Sequence, residues 1–141
     1  MTGDVTGSIL VVDDSRSARL MALRTITNLG WTVRVAADGF DAIKQLKSFD
    51  DIFLVVTDLV MPQMSGLSLI QYVNATTHPK HSINTVVLTV DRTPVILERM
   101  KSLGVLGVLT KPIQAKAFEV LARQAQQLRT ESLLDQDRSL Q

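Results

Sequence analysis

Short unbroken runs of Val, Ile and Leu, each followed by a stretch with helical punctuation, constrain this chain more than any other feature. The runs are Ile9-Leu10-Val11-Val12, Ile52-Phe53-Leu54-Val55-Val56, Val86-Val87-Leu88 and Val105 to Leu109. A run without polar alternation leaves no face for solvent. A strand built from it must be covered on both sides. Parallel strands need crossover connections, and helices between consecutive strands supply that cover.

The intervening segments carry the expected stops and starts. Strand 1 is read over Ser8–Val12, and Ser15 is a good N-cap for a helix reaching about Leu29, where Gly30 ends it. Strand 2 is Thr32–Ala36, and Asp38-Gly39 turns into helix 2, about Phe40–Lys47. Strand 3 is Ile52–Thr57, followed by a loop with Pro62 and Gly66 and by helix 3, about Leu67–Thr76. Strand 4 is Thr85–Thr89. Thr93 caps helix 4, with Pro94 at its first position, and that helix ends near Leu103-Gly104. Strand 5 is Val105–Leu109, and helix 5 runs from near Gln114 toward Leu134. The domain is expected over 8–130, with a frayed polar segment at 1–7 and a polar tail, linker stub or helix end at 131–141. Periodicity alone leaves the order of the strands open.

Bulk properties narrow the function classes. The 141 residues suit one domain with a real core. A net charge of +1 and the lack of any Lys/Arg run give no electrostatic drive toward nucleic acid or acidic membrane, so neither is expected as a partner. With no cysteine there is no disulfide framework or thiol chemistry, which fits a cytoplasmic setting. No apolar stretch has membrane-spanning length, and Met1-Thr2-Gly3-Asp4 lacks the basic and apolar regions of a secretory signal.

The chemistry gathers where the runs end. Asp13 and Asp14 follow strand 1, Asp58 follows strand 3, Thr89 ends strand 4, and Lys111-Pro112 follows strand 5. In open α/β sheets ligands sit outside the carboxyl ends of the strands, so these side chains would meet along one edge. Each alone has a plainer reading. An Asp pair before a helix also suits a turn or cap, Thr89 also suits a strand, and a lone lysine is usually solvated. Together, three carboxylates repel one another unless a cation lies among them, and hard oxygen ligands suit Mg²⁺. A hydroxyl and an ammonium beside them suit a phosphoryl group. A cis bond before Pro112 would aim Lys111 inward.

Asp13-Asp14, Asp58 with Met61-Pro62-Gln63-Met64-Ser65-Gly66, Thr89 and Lys111-Pro112 resemble, in order and spacing, the receiver domain of two-component response regulators. The resemblance covers roughly residues 8–130, and Asp13-Asp14-Ser15-Arg16 is particularly similar to the single-domain chemotaxis regulators. It implies a flavodoxin-like (βα)5 doubly wound parallel sheet with strand order 2-1-3-4-5. It implies that Asp58 takes a phosphoryl group from a histidine kinase or phosphotransfer protein. Asp14, Asp58 and the backbone carbonyl of Val60 would bind Mg²⁺ directly, and Asp13 would bind it through water. Thr89 and Lys111 would hold phosphoryl oxygens. The chain would then be a signalling protein, with no enzymatic activity beyond its own phosphoryl uptake and hydrolysis.

The sequence departs from the family pattern around that set. Val108 stands three residues before the lysine, where Tyr or Phe usually serves as a rotamer switch. Val90 follows the threonine, where Ala or Gly is usual, and its bulk would narrow access to Asp58. Ser65 stands where Asp is common but can still cap helix 3. Nothing after residue 130 is long enough for a DNA-binding or enzymatic domain, so output is expected through protein contact on the helix 4–strand 5–helix 5 face, with a target or a second copy. There Val95-Ile96-Leu97 cannot all face the core, and Val105, Leu106 and Val108 lie near an edge strand. Arg16, Arg19 and Arg24 on helix 1 either meet an acidic kinase surface or are solvated. Phe118, Leu121, Ala125 and Leu128 give helix 5 a core-facing or coiled-coil stripe.

Three competing readings are weaker. A haloacid-dehalogenase-like phosphatase with Asp58 as nucleophile needs a second Asp two residues on, where Val60 stands. A flavin or nucleotide binder needs a phosphate loop after strand 1, where Asp13 and Asp14 would repel phosphate. A pseudo-receiver, binding partners without phosphorylation, conflicts with the five-residue set but is consistent with Val90 and Val108.

Overall fold

The computed structural model describes residues 7–61, 63–76 and 83–139. Of the segment 1–7 expected to be frayed, residues 1–6 lie outside them, as does the Pro62 turn, while Gly7 is described. Gly7 is buried, and a Cβ there would sit 2.7 Å from the Phe53 ring.

Five strands and five helices alternate: β1 (Ser8–Val12), α1 (Arg16–Asn28), β2 (Thr32–Ala36), α2 (Gly39–Ser48), β3 (Ile52–Asp58), α3 (Gly66–Ala75), β4 (Asn84–Thr89), α4 (Pro94–Ser102), β5 (Gly107–Thr110) and α5 (Ala115–Ser139). All four strand pairs are parallel, in the order β2-β1-β3-β4-β5. This is the flavodoxin-like doubly wound sheet that the sequence implies. The caps are those that its composition calls for. Ser15, Asp38, Ser65 and Thr93 each accept a hydrogen bond from a backbone N–H in the first turn of the following helix. Gly30, at φ +100°, takes the left-handed conformation that ends α1.

Alternation along each strand sorts the apolar runs onto two faces. Ile9 and Val11 join Leu54, Val56, Val86 and Leu88 under α1 and α5, where Ile26, Phe118, Ala122 and Ala125 complete the cluster. Leu10 and Val12 join Val55 under α2 and α3, with Ala42, Leu69 and Val73. A third cluster, Leu59, Ile70, Val87 and Met100, seats α4 and receives Val108.

Most bounds lie within a residue or two of expectation, and two elements differ most. β5 begins at Gly107 rather than Val105. The Val105 N–H is used by the end of α4, where it donates to the Met100 carbonyl at 3.3 Å. The α5 helix runs beyond Leu134 to Ser139 because no Gly or Pro after Pro112 interrupts it. Its core stripe ends earlier: Phe118 and Ala125 are buried and Leu121 is partly so, but Leu128 is exposed because the helix there has passed the apolar cluster. On α4, Ile96 and Leu97 are half-buried and Val95 is left 77% exposed. Among the described residues no helix is long and apolar enough to cross a membrane.

The packing makes a local prediction on one helix. Phe118 is fully buried and Val120, two residues on, is 59% exposed. Phe118→Ala should cost about 3–5 kcal/mol in urea unfolding, through lost burial and a residual cavity. Val120→Ala should change stability by less than about 0.5 kcal/mol.

Candidate functional site

The strand order decides where a site can form. The connection from β1 crosses the sheet to β2, while β3 lies on the other side of β1. The chain segments leaving β1 and β3 therefore diverge, and a crevice opens at their carboxyl ends. Asp13 and Asp14 enter it directly after β1, and Asp58 is the last residue of β3. Thr89 ends β4, and Lys111 follows β5.

The carboxylates converge. One oxygen each from Asp13, Asp14 and Asp58 lies within 4.8 Å of the others. Asp13 is only 3% exposed and both its oxygens are engaged. Oδ1 accepts from the Ser15 N–H at 2.9 Å and Oδ2 from the Lys111 ammonium at 2.8 Å. Lys111 Nζ also lies 3.3 Å from Asp58 Oδ2, so one cation ties the ends of β1, β3 and β5 together. The Lys111–Pro112 peptide bond is cis, as the sequence suggested. Burial pulls the Lys111 pKa down, but hydrogen bonding and attraction from Asp13, together with Asp58, outweigh it and hold it above the ordinary 10.5. The lysine is therefore charged at neutral pH.

Thr89 is buried, with its hydroxyl accepting from the Asp91 N–H at 3.1 Å. That bond uses a lone pair and leaves the O–H free to donate. The Thr89 carbonyl accepts from the Lys111 N–H at 3.3 Å, linking the two strand ends. Val60 sits exposed in the segment after Asp58. All six residues singled out by sequence thus lie on one edge of the sheet.

Two supporting residues were less legible. Arg19 donates from Nη1 to the Asp13 carbonyl at 2.8 Å, so it clamps the first acidic residue rather than belonging to a solvated face. Its only sequence signal was its place on the first turn of α1. Gly66 packs so closely that any Cβ would run into the Asp58 carbonyl, while its N–H donates to Leu59 O at 2.9 Å. Gly66 thereby lets α3 begin directly behind Asp58.

The donor set fits a divalent cation. Three carboxylates face one ammonium, so the crevice carries net negative charge, and oxygen-only donors match a hard ion such as Mg²⁺. The same edge presents an ammonium and a free O–H, the groups that stabilise phosphoryl oxygens.

Comparison with known proteins agrees with this geometry. The family model described as the response regulator receiver domain matches residues 9–123. The chain is 33% identical over 117 residues to the Regulator of RpoS of Escherichia coli K12, covering 81% of this chain and 33% of that protein. It spans only about a third of that relative's length. It is 33% identical over 112 residues to chemotaxis protein CheY-3 of Vibrio cholerae, covering 79% of this chain and 85% of that one. Among solved structures, Vibrio cholerae CheY4 superposes with a TM-score of 0.74 at 28% identity, covering 84% of this chain and 98% of that one. With its sheet order, its acidic crevice and a family match over most of its length, the chain belongs to the response regulator receiver domains of two-component signalling.

Proposed function

We propose that Asp58 is the phosphoryl acceptor of a signalling switch, loaded from the phosphohistidine of a histidine kinase or phosphotransfer protein. The observation that supports it best is the bridge from Lys111 to both Asp13 and Asp58, at 2.8 and 3.3 Å. It sets a carboxylate nucleophile beside a charge that the incoming phosphoryl group needs.

An Asp58 carboxylate oxygen attacks phosphorus in line, and the bond from phosphorus to the donor imidazole breaks. Negative charge spreads over the three phosphoryl oxygens. Lys111 is 3.3 Å from Asp58 and exchanges that contact for a phosphoryl oxygen while keeping Asp13. Thr89 turns its free O–H toward a second oxygen. Asp14, Asp58 and the Val60 carbonyl would hold Mg²⁺, with Asp13 acting through water. The ion would supply charge neutralisation and geometric alignment. Arg19 and Gly66 position Asp13 and Asp58 and touch no reacting atom.

Loading draws Thr89 and Lys111 toward the phosphoryl group and biases two arrangements of the loops that carry them. The usual aromatic relay is replaced here by Val108, which packs into the α4 cluster. Arg92, in the β4–α4 loop, donates to the Val108 carbonyl at 2.9 Å. That bond makes a direct link from the loop beyond Thr89 to the edge strand. Output would pass by protein contact through α4, β5 and α5, to a target or a second copy, in the cytoplasm. The domain would comprise residues 8–130, with the remainder of α5 leading out of it.

Incubation with a phosphorylated histidine phosphotransfer protein and Mg²⁺ should add one phosphoryl group, read by intact mass. Asp58→Asn should abolish it, and Lys111→Ala should slow it by at least about a hundredfold. Uptake that survives Asp58→Asn would refute the assignment. Val90 borders the crevice, so Val90→Ala should raise the rate with acetyl phosphate several-fold in the same assay. An unchanged rate would remove Val90 as an access barrier.

A further inference from the structure

A cavity of about 330 Å³ lies between α1 and the segment joining β5 to α5, and it opens beside the acidic crevice. Ala18, Met21 and Ala22 line one side, and Leu88, Val90 and Ile113 line the other. Small residues at 18 and 22, one helical turn apart, leave the hollow that larger side chains would fill. Its charged end is formed by Asp13 and Lys111, so it shares a wall with the phosphoryl site. Met21 and Val90 stand at its mouth, 50% and 79% exposed.

A ligand that uses both parts must join a transferable phosphoryl group to a short apolar tail. We propose, resting on the reading of Asp58 as acceptor, that this cavity receives the alkyl chain of an acyl phosphate. The protein would then take phosphoryl groups from acyl phosphates with a longer alkyl chain, such as butyryl phosphate, in preference to acetyl phosphate. The phosphoryl group lies against Lys111 and Thr89, and the acyl chain lies between Ala18, Met21 and Leu88. The Asp58 carboxylate attacks phosphorus as the bond to the acyl oxygen breaks. The fatty carboxylate departs with that electron pair, and no proton or further reactant is needed. The cavity exceeds the ~30 Å³ share of one water many times over, so a four-carbon acyl chain fits. Acetyl phosphate leaves most of it empty.

The test compares initial rates of Asp58 phosphorylation from butyryl and acetyl phosphate at equal concentration with Mg²⁺, read by intact mass. Burial of two further methylenes should raise kcat/KM roughly tenfold for butyryl phosphate. Ala18→Phe fills the cavity and should erase that preference. Ala18→Leu is the smaller filler should the Phe variant fail to fold. Equal rates for the two donors in the unaltered protein overturn the proposal while leaving Asp58 as acceptor. A preference that persists in a folded, filled variant overturns the placement of the chain. Absence of uptake from acyl phosphates and from a phosphohistidine donor alike overturns both this proposal and the reading beneath it.

Discussion

The contact of Lys111 with Asp13 and Asp58 is the interaction on which the site depends. It joins residues 98 positions apart in sequence and spans the ends of β1, β3 and β5. Without it, the Asp13 carboxylate, at 3% exposure, would keep the Ser15 N–H as its one hydrogen bond among the described residues. A buried charge without a partner is costly, and the adjacent Asp14 adds repulsion. The lysine lowers that repulsion but does not cancel it, because three carboxylates face one ammonium. The remaining negative charge suits a cation in the crevice. Under the proposed function the same lysine would meet the incoming phosphoryl group.

Much of this was legible because burial and chemistry leave different marks. Strands covered on both faces had to read as continuous Val/Ile/Leu runs, and the caps Ser15, Asp38, Ser65 and Thr93 punctuated the helices at the right places. The site was legible because the end of each strand is where the fold places function. The misses have local causes. The start of β5 depended on a hydrogen bond from Val105 to Met100, which no apolar pattern encodes. The length of α5 exceeded its core stripe because helix propensity continued after packing ended. Arg19 was read with its charged neighbours, but its role depends on the backbone carbonyl that it reaches. The cavity beside Lys111 arises from what Ala18 and Ala22 lack, and two alanines on a helix give no sign of what faces them.

The surroundings of the site diverge more from family expectation than the site does. At Val108 the side chain packs against the cluster under α4, and its carbonyl is held by Arg92. A rearrangement of the β4–α4 loop would therefore reach β5 through a hydrogen bond to backbone rather than through an aromatic ring. At Val90 an exposed, bulky side chain stands at the mouth of the cavity that borders the crevice. Chemistry and readout thus impose separate constraints on the same loop.

The central claim is that Asp58, Lys111 and Thr89 close on a phosphoryl group with the help of a divalent cation. Titration with beryllofluoride, followed by amide NMR, measures this directly. The account predicts saturable shifts at Thr89 and Lys111 that require Mg²⁺ and vanish in Asp58→Asn. Shifts that need neither Mg²⁺ nor Asp58, or no response at all in folded protein, would contradict it and favour an interaction module that works without phosphorylation.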